Sequence, residues 1–464
     1  MKNFIWVFCC FFFFSCDNEI DINDEWADIP VIYGIFDSGA SVDADGSDFA
    51  IPTPYEPSFL DPTNIDFNFD GDSEDDFNNI HFVRVQKSFL GSSSAYDYTN
   101  ISDSIYYSNN NQNIDVWIEL VDPNWTDDVE PAQVPLQLLN ENDLADMGIV
   151  KDDGLFNSDN YYLYKILTYN EAVEWGLDTD PDFANITDLC QGDCDNKIDY
   201  KICVLNNLTG DTASAITNIV EPLNVLMPTS SGVSSILELG LENKPLKIRV
   251  YYSRNAKMYS ISFRFHYLEQ TAEGYNIDQQ QNNPLPTTGV VHKYVDWTWN
   301  DIVITDSDEL NGSGGFMDIS KYGAEFFTFL KSSLSEQNLS QPEFYRYPVN
   351  TLSQNFENIV ADAGIYHRCI DLNITAVNSE LYTYLQANGP NYGFNQERPE
   401  YNNIQNGIGH VGARSVLNMK NLRIDQGAAD SLSFGQITNK LNFACYSINS
   451  IENNFEVQFP PYCE

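Results

Sequence analysis

One short acidic segment has the spacing that a cation site requires. Oxygen-bearing side chains alternate along it, and Gly71 stands at the sixth position, where a loop that turns sharply around an ion needs glycine. Calcium takes about six to eight hard oxygen ligands in such a loop. The candidate ligands are Asp66, Asn68, Asp70, Asp72, Glu74 and Asp76. The segment therefore predicts a calcium site, and calcium is the cofactor that the sequence suggests.

The spacing resembles the calcium loop of EF-hand and dockerin repeats, with one departure. Phe77 stands at the twelfth position, where those loops place a bidentate acid. Asp76 can replace that acid only if the loop is one residue tighter. The alternative interpretation is a disordered acidic insertion that binds no metal.

The sequence lacks the signatures of the common hydrolases. Its five histidines form no H-E-x-x-H pattern, and no G-x-S-x-G segment occurs. His81 and His266 lie in strand patterns, so we expect them on a sheet surface or hydrogen-bonded in the core. The 68 Asp and Glu residues leave a carboxylate-dependent glycosidase or other hydrolase open, but they identify no acid–base pair.

Two tryptophans are candidate ligand-binding residues. Trp297 and Trp299 occupy alternate positions of one strand pattern and therefore share a face. A pair of indole rings can form a platform for a sugar ring. The alternative is that both rings belong to the core or the edge of a β-sandwich.

The N-terminus has the features of an export signal. Lys2 is followed by an apolar run at 4–14 that is too short for a permanent membrane helix, and Ser15 precedes Cys16. This arrangement resembles a bacterial lipoprotein signal, in which cleavage after Ser15 leaves Cys16 to carry the lipid. The acidic residues that follow resemble the surface-export signal of Bacteroidota lipoproteins, which implies an outer-membrane protein facing the exterior. The alternative is an ordinary signal peptide.

The remaining cysteines suggest disulfides. An even number of cysteines in an exported chain allows up to three bridges, whose connectivity the sequence leaves open. The candidates are Cys190, Cys194, Cys203, Cys369, Cys445 and Cys463. Zinc is disfavoured at 190–203 because no histidine lies nearby and the spacing is not C-x2-C.

Composition disfavours several classes of partner. The 464 residues carry 23 Lys and Arg against 68 Asp and Glu, a formal net charge of −45, and 42% of the residues are hydrophobic. The apolar fraction is sufficient for a large core, whereas the charge repels phosphate and anionic lipid. We therefore expect a folded acidic protein that does not bind nucleic acid and reaches the membrane through its lipid anchor.

Frequent strand patterns and few helical ones predict a mainly β or α+β fold. We expect an antiparallel β-sandwich-like N-terminal region and a second α+β region with a few helices. The clearest strand pair, 246–252 and 259–268, predicts a hairpin. Apolar spacing and capping residues predict helices over 320–338 and Ser379–Asn388.

The chain divides into five predicted segments. These are a signal peptide at 1–15, a lipidated acidic tether at 16–27, a β-rich domain at 28–225 with an acidic insertion at 37–79, an α+β domain at 240–424, and a cysteine-tethered tail at 425–464.

Several stretches together resemble a family of uncharacterised Bacteroidota surface lipoproteins. They are W-A-D-I-P-V-I-Y-G-I-F at 26–36, H-F-V-R-V-Q-K-S-F-L-G at 81–91, S-D-S-I-Y-Y at 102–107 and Y-N-N-I-Q-N-G-I-G-H-V-G-A-R at 401–414. In that family a domain of unknown function begins just after the lipid anchor. Some relatives accompany TonB-dependent outer-membrane transporters, which implies an accessory role beside such a β-barrel partner. The resemblance also implies that 37–79 is a surface insertion, because similar sequences join these two strands through a short connection.

Three functions are consistent with these observations. The first is a surface-exposed outer-membrane lipoprotein that is not an enzyme and acts as an accessory or binding subunit of an outer-membrane protein complex. The second is a glycan-binding lipoprotein for nutrient uptake. The third is a carboxylate-dependent hydrolase.

Overall fold

A computed structural model of the protein describes the strands, helices and connections that form its core. The described residues are 29–37, 82–88, 107, 113–121, 133–146, 161–165, 199–221, 223–229, 236–240, 245–271, 290–305, 315–348, 370–388, 401–448 and 455–458.

Strands dominate this part of the chain. They are β1 (Pro30–Asp37), β2 (Phe82–Lys87), β3 (Ile114–Val121), β4 (Gln133–Pro135), β5 (Gln137–Leu139), β6 (Leu163–Lys165), β7 (Asp199–Asn206), β8 (Thr212–Asn218), β9 (Val225–Met227), β10 (Ile236–Leu237), β11 (Leu246–Tyr251), β12 (Met258–Thr271), β13 (Val290–Thr298), β14 (Ile302–Val303), β15 (Phe316–Lys321), β16 (Phe344–Pro348), β17 (Ile370–Val377), β18 (Ile408–Ile424), β19 (Cys445–Ile448) and β20 (Phe455–Gln458). The helices are α1 (Glu141–Asp146), α2 (Gly323–Ser333), α3 (Ser379–Asn388) and α4 (Gln426–Phe434), with a 3-10 turn at Asn439–Leu441. The predicted mainly β or α+β fold class is therefore confirmed.

The largest sheet has eleven strands within the described ranges. Its order is β13-β12-β17-β18-β1-β2-β6-β5, with β14 and β16 also paired to β12 and β10 paired to β18. We call it the main sheet. Three smaller sheets have the orders β4-β3-β7-β8, β15-β11-β9 and β19-β20.

Strand β1 lies between two other stretches that carry the family resemblance, those at 81–91 and 401–414. It runs antiparallel to β2 and parallel to β18, so Tyr33 lies opposite Arg84 on one side and His410 on the other. Since β1 and β2 are neighbours in the sheet, residues 38–81 connect two adjacent strands. Asp37 at the end of β1 pairs with Arg414 of β18 at 2.7 Å.

The predicted hairpin of 246–252 and 259–268 is wrong, although both strands form. β11 pairs with β15 and β9, whereas β12 pairs with β13 and β17 in the main sheet. Period-two alternation shows which face of a strand is buried, but it does not identify the neighbouring strand.

Helix α3 spans Ser379–Asn388 as predicted, whereas α2 begins later and ends earlier than the predicted range of 320–338. The residues before α2 form β15 instead, which pairs with β11. A Cβ atom on Gly323 would lie 1.8 Å from the Leu239 carbonyl oxygen, so only glycine permits this close approach at the start of α2. Asn378 caps α3 by accepting the Leu381 N–H at 3.0 Å.

One hydrophobic cluster joins the main sheet to the four-stranded sheet β4-β3-β7-β8. Phe36 of β1 meets Tyr200 of β7 edge to face at 5.5 Å, and both side chains are fully buried. Leu441 and Phe443 belong to the same cluster, so part of the segment predicted as a tail packs in the core. The β1–β18 pairing joins strands from both sides of the domain boundary predicted between 225 and 240.

Candidate functional site

A cavity of about 290 Å³ lies where the four-stranded sheet meets the main sheet. Strands β3 and β4 form most of its wall, and β6 contributes a tyrosine. The lining residues are Ile114, Asp115, Val116, Trp117, Gln133, Pro135, Leu136 and Tyr164. We call it the Trp117 cavity. Apolar side chains with a few polar ones among them are typical of a small-molecule site.

Neighbouring side chains hold Trp117 in one orientation. Residues two apart on a strand share a face, so Trp117 lies beside Glu119, and the β3–β7 register sets Lys201 opposite Glu119. The Trp117 Nε1–H donates to Glu119 Oε1 at 3.0 Å, and Lys201 Nζ donates to Glu119 Oε2 at 2.7 Å. Gln133 Nε2 also donates to Oε1, at 3.3 Å. The Glu119 carboxylate therefore fixes the indole ring at the cavity wall.

The protonation state of Glu119 follows from the same contacts. Burial raises the pKa of the Glu119 carboxyl, but hydrogen bonds from Lys201, Trp117 and Gln133 together with the Lys201 charge outweigh burial, and the net pKa is lowered. The hydrogen bond to Glu119 in turn raises the pKa of Lys201. The pair is therefore charged at neutral pH, and an ionised Glu119 has no proton to donate as a general acid.

Cys203 lies opposite Trp117 on the same sheet face. It is 1% exposed and carries a free thiol, which differs from its predicted place among the disulfide candidates. The thiol instead interacts with Glu119 and Lys201 inside the face of the sheet. Burial, followed by the negative charge of Glu119, raises the pKa of Cys203 to about 12. At neutral pH the group is a protonated thiol, which is a poor nucleophile.

We expect Cys203 to resist alkylation in the native protein. Iodoacetamide at about pH 8 reacts with thiolates, and the buried Cys203 thiol is protonated there. Peptide mapping by mass spectrometry should find the Cys203 peptide unlabelled before unfolding in urea and fully labelled afterwards. Equal labelling rates in the native and unfolded protein would contradict the buried thiol.

A second polar cluster links strands β12, β13 and β17. His266 Nε2 lies 2.9 Å from Asp371 Oδ2, and His266 Nδ1 lies 2.9 Å from His292 Nε2. The donor and acceptor roles depend on the tautomer: where the Nε2–H of His266 donates to Asp371, Nδ1 can accept a hydrogen bond from His292. His266 is 2% exposed and both of its ring nitrogens are engaged. The expectation of a hydrogen-bonded core histidine is therefore confirmed for His266, whereas His81 lies outside the described residues.

His410 of β18 is another buried polar side chain. Its ring stacks on Tyr384 of α3 with centroids 4.4 Å apart, and Tyr401 lies 5.8 Å away. Within the described residues, Nε2 of His410 is buried without a hydrogen-bond partner. Burial lowers the pKa of His410 to about 4, and a hydrogen bond with the Glu380 backbone opposes this effect only in part. The imidazole is therefore neutral at neutral pH.

The two tryptophans that the sequence proposed for sugar binding lie in the core. Trp297 and Trp299 are 7% and 5% exposed, and they pack on Phe263 with centroid distances of 5.7 and 5.0 Å. Phe326 of α2 covers Trp297 at 5.4 Å. The prediction of an open aromatic platform is wrong, because the face that the two rings share points toward the core and α2.

Trp117 does not stand out in the sequence as a site residue, although one signal points to it. The alternation along β3 places Trp117 and Glu119 on one face, next to each other. Lys201 and Gln133 come from other strands, so the sequence alone could not assign them to this contact.

Several predicted sites fall outside the described residues. These are the calcium ligands Asp66, Asn68, Asp70, Asp72, Glu74 and Asp76, the lipidation site Cys16, the cysteines Cys190, Cys194, Cys369 and Cys463, and the side chain of Cys445. Within the described ranges, no group of three or more His, Cys, Asp or Glu side chains could hold a metal ion. Calcium binding and the pairing of these five cysteines remain predictions.

No model of a known protein family matches the chain, and a search of curated proteins finds no significant match. Among the helices that the structure describes, none combines the length and apolar character needed to cross a bilayer.

Proposed function

We propose that this protein is a surface-exposed outer-membrane lipoprotein that acts as a non-enzymatic accessory or binding subunit of an outer-membrane protein complex. The location rests on the N-terminal sequence, in which Ser15 and Cys16 follow a short apolar run and acidic residues come next. Lipid on Cys16 holds the protein on the membrane, since its acidic surface does not favour adsorption to anionic lipid.

The state of the reactive groups beside the Trp117 cavity supports binding rather than catalysis. Glu119 is ionised and commits its oxygens to Trp117 and Lys201, while Cys203 is a protonated thiol. A general acid must carry a proton and a nucleophilic cysteine must be a thiolate, so Glu119 is not prepared to act as a general acid and Cys203 is not prepared to act as a nucleophile. The same contacts stabilise a preformed wall, which is what a binding site requires.

The lipid anchor has a direct test with a matched control. We expect Cys16→Ser to release the protein from the membrane fraction, since the thiol that carries the lipid is gone. Cys10→Ser, which changes a cysteine within the predicted signal, should leave the protein membrane-bound. Fractionation with immunodetection measures both. Retention of Cys16→Ser in the membrane would contradict the anchor.

Surface exposure and the partner need separate measurements. Protease added to intact cells should digest the wild-type protein, and replacing Asp17, Glu19 and Asp21 with amides should abolish that digestion while membrane attachment persists.

Purification of the native lipoprotein in mild detergent should recover an outer-membrane β-barrel partner, identified by mass spectrometry. A protein that always elutes alone would contradict the accessory role.

A further inference from the structure

We propose that the Trp117 cavity binds the ring of a neutral sugar. This inference rests on the proposed binding function and specifies the class of ligand. It moves the glycan hypothesis away from the buried Trp297 and Trp299 to a site that has an aromatic wall, polar side chains and an opening between two sheets.

The size of the cavity favours one small ring. Its volume of about 290 Å³ lies just below the range for drug-sized ligand sites, which begins at about 300 Å³. Such a space accommodates a single sugar residue, whereas an extended peptide or a lipid chain needs a longer groove.

An apolar wall is present for the C–H face of a sugar. Trp117 is partly exposed and lies opposite Pro135 in the β3–β4 register, so indole and pyrrolidine rings are neighbours along the cavity. The hydrogen bond from Trp117 Nε1–H to Glu119 fixes the indole before any ligand arrives. A fixed aromatic ring loses little conformational freedom on binding, which favours affinity for a weakly bound ligand.

Polar groups for the sugar hydroxyls stand on the same strands. Asp115 precedes Trp117 by two residues and lines the cavity, where its carboxylate can accept hydrogen bonds from hydroxyl groups. Asn207 donates to Asp115 Oδ2 at 3.1 Å and thereby orients the carboxylate. Gln133 adds an amide, which both donates and accepts. Donors and acceptors beside an aromatic ring match a polyhydroxylated ring better than a purely apolar ligand, which would leave Asp115 poorly solvated.

Charge selects among sugars. The carboxylate of Asp115 lies in the cavity wall, and the protein carries a formal net charge of −45. Uronic acids and sulfated sugars bring a second negative charge next to Asp115, which costs binding free energy. A neutral pyranose meets no such repulsion, so neutral sugars are the expected ligands.

The test is titration calorimetry on the full lipoprotein in a detergent that contains no sugar headgroup. The probes are neutral hexoses, N-acetylhexosamines and their short oligomers, with galacturonic acid and a sulfated galactose as charged counterparts. We expect binding of at least one neutral probe and at least about tenfold weaker binding by Trp117→Ala. Trp117→Phe, which keeps an aromatic face but loses the hydrogen bond to Glu119, should bind more weakly than the wild type and more tightly than Trp117→Ala. Phe316→Ala, which removes an exposed ring outside the cavity, should stay within about threefold of the wild type.

Each result of this experiment supports or overturns the proposal. Circular dichroism first verifies that the variants are folded, and saturation-transfer NMR on the wild type identifies which sugar protons contact aromatic rings. The absence of binding across all neutral probes would overturn the sugar site, as would unchanged binding by a folded Trp117→Ala. Tighter binding of the charged sugars than of the neutral ones would overturn the assigned class. None of these failures affects the membrane anchor or the partner, because fractionation and co-purification measure those independently.

Discussion

Replacing Arg346 with methionine is expected to lower the free energy of unfolding by about 3 to 5 kcal/mol. Arg346 of β16 is 2% exposed, and its Nε donates to Glu269 of β12 at 2.9 Å. Methionine fills part of the volume but leaves the Glu269 carboxylate, which is 6% exposed, with only the half-exposed Lys293 as a counter-charge. Removing one partner of a buried pair is costly because the other remains charged and desolvated.

The other hydrogen bonds of Arg346 add to this loss of stability. Its Nη1 donates to the carbonyl oxygens of Ser335 at 3.0 Å and Leu441 at 2.8 Å, and its Nη2 donates to Ser335 Oγ at 2.9 Å. One side chain therefore connects β16, the segment after α2 and the 3-10 turn near the C-terminal end of the described core. We expect hydrogen exchange to increase first around Leu441 in the variant, since those contacts are lost together.

Two comparisons distinguish the buried pair from general damage. Arg249→Met removes a bidentate pair with Asp318 that lies on an exposed sheet face, so it should destabilise the protein much less than Arg346→Met. The double variant Arg346→Met/Glu269→Leu removes both charges and should recover part of the loss. Urea unfolding followed by tryptophan fluorescence measures all three. Equal losses for Arg346→Met and Arg249→Met would contradict the role of burial.

Local sequence patterns predicted the strands and α3, but not the contacts between them. Alternation at 116–120 and at 246–252 follows from one face of each strand packing against the core, and both strands form. Their partners depend on segments far away in the chain. Glu119 and Lys201, for example, are 82 residues apart in sequence and 2.7 Å apart in space. This is why the sequence predicted a hairpin at 246–268 where the structure has two sheets.

The candidate site shows the same limit for side chains. Alternation correctly placed Trp297 and Trp299 on one face, but it could not show that α2 covers that face with Phe326. Trp117 has equally ordinary sequence surroundings. It becomes a candidate because β3, β4 and β6 leave a cavity beside it and because Glu119 holds its ring in place. Both outcomes depend on which elements pack over a sheet face, and single-strand periodicity contains no information on that.

His410 is expected to make the protein less stable as the pH falls from about 6.5 to about 4. The pKa of His410 is lowered from 6.5 to about 4 by burial, so the unfolded chain takes up a proton that the folded protein excludes. Stabilisation from the neutral imidazole is complete above pH 6.5 and is lost progressively down to the folded-state pKa. A difference of this size corresponds to about 3 kcal/mol at the acidic end.

The environment of His410 explains why the proton is excluded. Tyr384 stacks on the ring and Tyr401 lies beside it, while Nε2 has no hydrogen-bond partner among the described residues. A Cβ atom on Gly412 would lie 2.8 Å from His410 Cε1, so the ring also lies close to the strand backbone. The Glu380 backbone favours the charged form, but it does not compensate for the lost hydration of an imidazolium.

Comparison with His410→Phe isolates this effect from the rest of the acid response. Acid also protonates many of the 68 Asp and Glu residues, and that contribution is common to both proteins. Phenylalanine retains a planar ring next to Tyr384 but cannot take up a proton. The difference in unfolding free energy between wild type and variant, measured in urea at intervals from pH 7 to about 4, should therefore shift by about 3 kcal/mol toward the variant. A difference that stays constant over this range would show that the folded protein accommodates a charged His410.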